Sequence, residues 1–141
     1  MASHVYERAF YHFIWATWDR RPLLEGEIER HAYALIREQC SKMRCTVHAL
    51  GGMADHVHLL VTLPRTLCVA DFMESVKGVS SRALNEAHGT DDWTFRWQGR
   101  YGFLTVSGSQ VSTVIRYICN QKEHHEQGKL WPSAEKTGDE E

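Results

Sequence analysis

The chain lacks most of the features that would assign it quickly. No apolar run in its 141 residues approaches the length of a membrane span, and the opening "MASHVYERAF" has no basic-then-apolar secretory pattern. The four cysteines, Cys40, Cys45, Cys68 and Cys119, form no CxxC pair. They fall inside segments that read as helix or strand, so reduced, mostly buried thiols in a cytoplasmic protein are expected. No P-loop pattern, internal repeat or low-complexity segment is present. Net charge is equally unrevealing: 16 basic and 18 acidic side chains leave −2. The last seven residues, "EKTGDEE", carry four acids and one lysine, so the rest of the chain is close to neutral. A neutral body does not exclude nucleic acid, because phosphates are contacted patch by patch.

What is present is an ordinary globular composition, 43% hydrophobic and 24% charged, in a chain long enough for one core and short for two. The expected organisation is one domain over 1–134 and a solvated, disordered acidic tail over 135–141. "YHFIWATW" (11–18) alternates and is aromatic enough to be a strand. Residues 25–43, after the turn signal Arg21-Pro22, place Ile28, Ala32, Leu35 and Ile36 on one helical face, with acids in the first turn. Two strands, 45–53 and 56–63, follow around a tight turn at Met53-Ala54-Asp55, and Pro64 ends the second. A helix over 69–88, a strand over 101–107 and a last helix over 111–127 complete the series. This order predicts an α+β fold: a ferredoxin-like split βαβ with an antiparallel sheet, helices on one face and one appended C-terminal helix.

The segment "MADHVHLLVTL" (53–63) spends two positions of a buried strand on imidazoles. Strand side chains alternate, so His56 and His58 project to one face, about 7 Å apart, and can converge on one ion. The same pattern also fits one satisfied core histidine and one exposed one. On the last helix Tyr117 and Gln121 stand four apart and share a face. A glutamine offers an amide oxygen to a metal, and a tyrosine offers a hydroxyl nucleophile. Each also fits a bland role, a half-buried aromatic and a surface amide.

Together, "DHVHLL", "YICNQKEHH", "ESVKGVSSRALNE" and "FRWQGRYGFLTVS" resemble the small single-tyrosine HUH transposases of the IS-two-hundred insertion-sequence type, over nearly the whole chain. The REP-associated tyrosine transposases are close relatives in the same resemblance. It implies an enzyme that binds hairpins in single-stranded DNA at insertion-sequence ends, cuts beside them and rejoins strands through a 5′-phosphotyrosine. By position it implies Tyr117 as nucleophile, His56, His58 and Gln121 as metal ligands, and Mg2+ or Mn2+ as the ion. Family members of the insertion-sequence type generally exchange the tyrosine helix in a homodimer with shared active sites, whereas REP-associated relatives tend to act alone.

These parts make chemical sense. An anionic phosphodiester repels nucleophiles, and a divalent cation on a non-bridging oxygen relieves that repulsion. A tyrosine of pKa about 10 needs help to lose its proton at neutral pH, and the sequence singles out no base. Ligand softness favours manganese or zinc over magnesium at two imidazoles. His124 and His125 lie near the tyrosine face, as outer-shell groups or a solvated helix end. Arg100, Arg116 and Lys122, with Arg96, are interleaved with Trp93, Phe95, Trp97 and Tyr101, a composition that binds single strands. The alternative places the rings in the core with snorkelling arginines, which suits Phe95 best. Lys77 and Arg82 flank Gly78, Ser80 and Ser81 on a small-residue helix face that either admits DNA or packs on another helix.

Two other functions fit the sequence: a domesticated REP-type hairpin nickase, and a hairpin-binding regulator that has lost chemistry. A structural zinc module built on Cys45, His48, His56 and His58 matches no paired ligand spacing.

Overall fold

The computed structural model describes residues 9–128 and 130–138. Its strands are β1 (Phe10–Ala16), β2 (Thr46–Met53), β3 (His56–Thr62) and β4 (Gly102–Val106); its helices are α1 (Gly26–Lys42), α2 (Val69–His88), α3 (Val111–Cys119) and α4 (Gln121–Gln127). The strands form an antiparallel four-stranded sheet in the order β2-β3-β1-β4. This is the expected α+β, split βαβ arrangement.

The alternation of β3 sorts its side chains between two worlds. Val57, Leu59 and Val61 join Phe13 and Trp15 of β1 beneath α1 and α2, in the larger cluster of the core. α1 contributes Ala32, Ile36 and Cys40, spaced by four, and α2 contributes Phe72, Val76, Ser80 and Leu84 at the same spacing. The buried Ser80 is satisfied twice over: its hydroxyl donates to the Val76 carbonyl (2.7 Å) and accepts from the Trp97 indole (2.9 Å).

On the opposite face, His56, His58 and Leu60 align with His12 and Ile14, because the register pairs Ile14 with His58 and His12 with Leu60. Here α3 lays Val114 and Ile118 against Ala49 and Leu60, a smaller apolar patch. Gly51 makes this approach possible, since a Cβ there would run into the Ile118 carbonyl. Thus α1 and α2 share one face, as expected, and the tyrosine-bearing helix takes the other.

Most element ends fall within two residues of the sequence expectation, the first strand ending at Ala16 and not at Trp18, and two departures are larger. The helix expected over 111–127 is broken at Asn120 (φ −107°, ψ 26°), which ends α3 and precedes α4. The apolar pattern runs out at that point, so packing no longer favours one straight axis over a bend. The tail expected from 135 is packed as far as it is described: Thr137 is fully buried and Glu135 is 15% exposed. Gly102 lets this segment cross the sheet, because a Cβ there would collide with the Lys136 carbonyl. Residues 139–141 of the expected tail lie outside the described residues. All four cysteines are free, but only Cys40 and Cys45 are buried; Cys68 and Cys119 are exposed. Among the described residues no helix is long and apolar enough to cross a membrane.

Candidate active site

The turn between β2 and β3 delivers His56 and His58 to the sheet face covered by α3 and α4, where they are 3% and 0% exposed. Burying two imidazoles requires partners for both ring nitrogens of each. On the far side these partners come from the sheet. Asp55 holds His56 Nδ1 at 2.8 Å, and His12 Nε2 lies 2.9 Å from His58 Nδ1. Engaging Nδ1 in this way fixes the ring and turns Nε2 toward the centre.

The centre is closed by groups from the end of the chain. His56 Nε2 lies 3.3 Å from the Gln121 amide oxygen and 3.3 Å from Glu135 Oε1. His125 Nε2 is 3.0 Å from that amide oxygen and 3.3 Å from the same carboxylate oxygen. His58 Nε2 comes within 3.3 Å of Glu135 Oε2, yet its geometry makes no hydrogen bond, leaving a buried nitrogen unsatisfied. The Tyr117 hydroxyl donates to Glu135 Oε2 and accepts the Trp131 backbone N–H at 3.1 Å. The Tyr117 ring stands edge-on to His58, with centroids 5.9 Å apart, and stacks on Trp131 at 4.0 Å and His124 at 5.0 Å.

Electrostatics follow from this crowding. Burial opposes a charge on His56, but the Asp55 and Glu135 carboxylates outweigh it and push its pKa up to about 9. His58 moves down, mainly through burial, and His12 falls to about 3 for the same reason, aided by His58. Burial would raise Glu135, yet the His56 and His58 imidazoles beside it and the Tyr117 hydroxyl hold it well below the usual carboxylate range. Burial and the Glu135 hydrogen bond push Tyr117 up to about 12, so the resting hydroxyl keeps its proton. The protonated His56 therefore supplies a positive charge among inward-facing acceptors.

A divalent cation fits this place. His56, His125 and Glu135 offer ligand atoms all within 4.8 Å of one another. The unsatisfied His58 Nε2 faces the same space, and Asp55 and His12 provide the outer hydrogen bonds that metal-binding imidazoles use. A bound cation would replace the His56 proton.

The four residues singled out from sequence, His56, His58, Tyr117 and Gln121, converge within one chain. In this single chain Tyr117 lies edge-on to His58 and reaches Glu135. The zinc-module residues do not converge: the Cys45 thiol donates to the Met43 carbonyl (3.7 Å) and His48 pairs with Thr62 (2.8 Å). The residues proposed for DNA fare unequally. Trp97 is core, 6% exposed and edge-on to Phe95 and Trp15, so its faces do not offer a stacking surface. Lys77 ties down the 98–100 segment through the carbonyls of Gln98 (2.5 Å) and Arg100 (3.2 Å). Lys122 pairs with Glu29 at 2.8 Å, while Arg82, Arg100 and Arg116 are exposed. Three site residues carried no sequence signal of their own: His12, hidden in an aromatic strand; Asp55, read as a turn residue; and Glu135, read as tail.

Comparison with known proteins gives the family and the fold. Residues 5–121 match the family model described as "Transposase IS200 like". The chain is 29% identical over 131 residues to the transposase for insertion sequence element IS200 of Salmonella typhimurium, covering 90% of this chain and 86% of that protein. It is 30% identical over 115 residues to the ISDra2 transposase TnpA of Deinococcus radiodurans, covering 79% of this chain and 82% of that one. A crystal structure of a Deinococcus radiodurans R1 transposase superposes with a TM-score of 0.68 at 29% identity, over 86% of this chain and 97% of the other. A REP-associated tyrosine transposase bound to a REP hairpin shares the fold, with a TM-score of 0.62 at 17% identity over 92% of this chain and 81% of that one. The chain belongs to the family of IS200-like transposases.

Proposed function

We propose that this transposase cleaves single-stranded DNA beside a hairpin and rejoins it through a 5′-phosphotyrosine on Tyr117. The observation that carries the reading is the convergence, on one buried face, of the Tyr117 hydroxyl with the inward-facing nitrogens of His56 and His58. Hairpin binding is supported by the fold shared with a transposase whose structure contains a REP hairpin.

His56, His58 and Gln121, joined by His125 and Glu135, would hold a divalent cation, Mg2+ or Mn2+, which polarises the scissile phosphate and offsets its charge. Tyr117 Oη attacks phosphorus in line as the P–O3′ bond breaks, leaving a free 3′-OH and a 5′-phosphotyrosine. Trp131 and His124, stacked on the ring, hold the nucleophile in place. Glu135, accepting the tyrosine hydroxyl, stands where the phenolic proton leaves. The phosphotyrosine keeps the energy of the broken ester, so attack by a second 3′-OH needs no nucleotide cofactor.

The cis docking of Tyr117 favours a site complete within each chain. A homodimer would then form through β4, the edge strand on which Phe103 (47%) and Leu104 (36%) are exposed. Sites shared by exchange of α3 are the second reading. Residues 107–110 link α3 to the sheet through a short turn (Gly108–Gln110) that would have to open for it.

Incubation with single-stranded DNA from the gene's own flanks and Mn2+ tests the function. Wild type forms an SDS-resistant adduct through a 5′ phosphate, and a perfect duplex of the same sequence stays uncut. Melting that duplex would cost about 1.4 kcal/mol per base-pair step. Equal cutting of duplex, or an adduct formed in full in EDTA, overturns the reading.

A further inference from the structure

Asp19 (φ 52°) and Arg20 (φ 53°) are consecutive non-glycine residues in the left-handed backbone region, which L side chains rarely adopt. Such strain persists only where surrounding structure enforces it, and it gathers at binding sites. Here the turn after β1 is clamped from both sides. Thr17 N–H donates to the Asp55 carbonyl (2.9 Å), and Trp18 N–H donates to the Arg96 carbonyl (2.9 Å). The product of the strain is an unusual placement. Trp18 stays 39% exposed, with the Arg96 guanidinium carbon 3.7 Å from its ring centroid. A core-seeking turn would bury that indole; this one presents it.

The same turn is wired to the active site. Arg20 reaches Asp55 Oδ2 at 3.7 Å, and the other oxygen of Asp55 holds His56 at 2.8 Å. We infer that the Trp18–Arg96 stack is a platform for one unpaired base of single-stranded DNA, next to the phosphate that Tyr117 attacks; this rests on the function proposed above. A flat indole and a planar guanidinium are the two surfaces on which proteins stack bases, whatever the base identity. Arg96, exposed over the ring, also brings positive charge to the adjoining phosphates. The platform thus grips the strand without reading it, which suits an enzyme that must place a phosphate in line.

The test uses the full chain and flank-derived single strands in which each nucleotide around the cut is made abasic in turn. In wild type, one abasic position raises KM by roughly tenfold, the order expected for a lost base stack, and leaves kcat nearly unchanged. Trp18→Leu raises KM similarly on intact DNA, the abasic position then costs nothing further, and Trp18→Phe restores most of the loss. A second measurement needs no cleavage: 2-aminopurine at that position is quenched on binding to Tyr117→Phe and not on binding to the same variant carrying Trp18→Leu. If Trp18→Leu keeps the wild-type KM, or the abasic penalty persists in it, the platform is refuted. If wild type forms no adduct but the quenching difference is seen, the cleavage chemistry falls while the platform stands; loss of both refutes both.

Discussion

Side by side on β3, Leu59 and His58 are both fully buried, yet they belong to different kinds of interior. Leu59 faces a layer made of α1, α2 and the alternate residues of β1, where any well-shaped apolar neighbour suffices. His58 faces a layer where every partner is specific: His12 from β1, Tyr117 from α3 and Glu135 from beyond α4. One face is filled by pattern and the other by particular groups drawn from distant parts of the chain. The same strand therefore anchors the fold through its odd positions and the chemistry through its even ones.

The sharpest way to separate the faces is to remove one oxygen. Tyr117→Phe should abolish the DNA adduct while costing only about 1 kcal/mol of stability, the scale of one lost hydrogen bond. An adduct surviving in this variant would move the nucleophile elsewhere, with Tyr101 the next tyrosine to test. Mixing His56→Ala with Tyr117→Phe then decides between cis and shared sites. If each chain carries its own site, mixed dimers stay inactive; recovery of adduct on the His56→Ala chain would show exchange of α3.

Next in size is loss of the candidate ligands. His56→Ala and His58→Ala should each lower cleavage by at least roughly 100-fold, and EDTA should reproduce the loss. Hairpin binding should change little, because affinity comes from phosphate and base contacts. Gln121→Ala should be milder, since water can replace an amide oxygen. The opposite face responds in the opposite way. Leu59→Ala should destabilise the fold by about 2–5 kcal/mol through a cavity beneath α2. The fraction still folded should cleave at the wild-type rate. A Leu59→Ala protein that is fully folded but inactive would break the division between the faces.

That division also explains what could be read from the sequence. The core face was legible because its signal is local: alternation in β1 and β3, and spacing by four in Ala32, Ile36 and Cys40 or in Phe72, Val76, Ser80 and Leu84. His56, His58, Tyr117 and Gln121 were legible through their own spacing and the family resemblance. His12 was not, because its meaning depends on the register of β1 against β3, which no local pattern fixes. Asp55 looked like a turn residue, and it is one; its second role appears only when the His56 ring is placed beside it. Glu135 opens the acidic run "EKTGDEE", and charge near a chain end reads as solvated unless something positive waits for it. The break at Asn120 was invisible for a simpler reason: an asparagine is tolerated within a helix, so the sequence reads through it.

His12 gives the smallest effect and the finest comparison, because it is buried in the site face at 2% exposure without touching Tyr117 in the contacts described. Its folded-state pKa is lowered to about 3, first by burial and then by His58. In the unfolded chain it titrates near 6.5. Above that value neither state binds a proton at His12, and its contribution does not change with pH. Between the two values the unfolded state binds the proton and the folded state does not, so stability falls as pH falls. The slope from this one group is at most about 1.4 kcal/mol per pH unit. His56 acts with the opposite sign: raised to about 9, it favours the folded state at low pH and loses that contribution as pH rises through about 9. Its effect below 6.5 is constant, so the two separate by window. Urea melts of metal-free protein between about pH 7 and about pH 5 should therefore show wild type losing stability relative to His12→Gln, whose amide can still meet His58 Nδ1 but cannot titrate. Parallel curves would mean that His12 takes up its proton in the folded protein, and that the site face tolerates charge as freely as a surface.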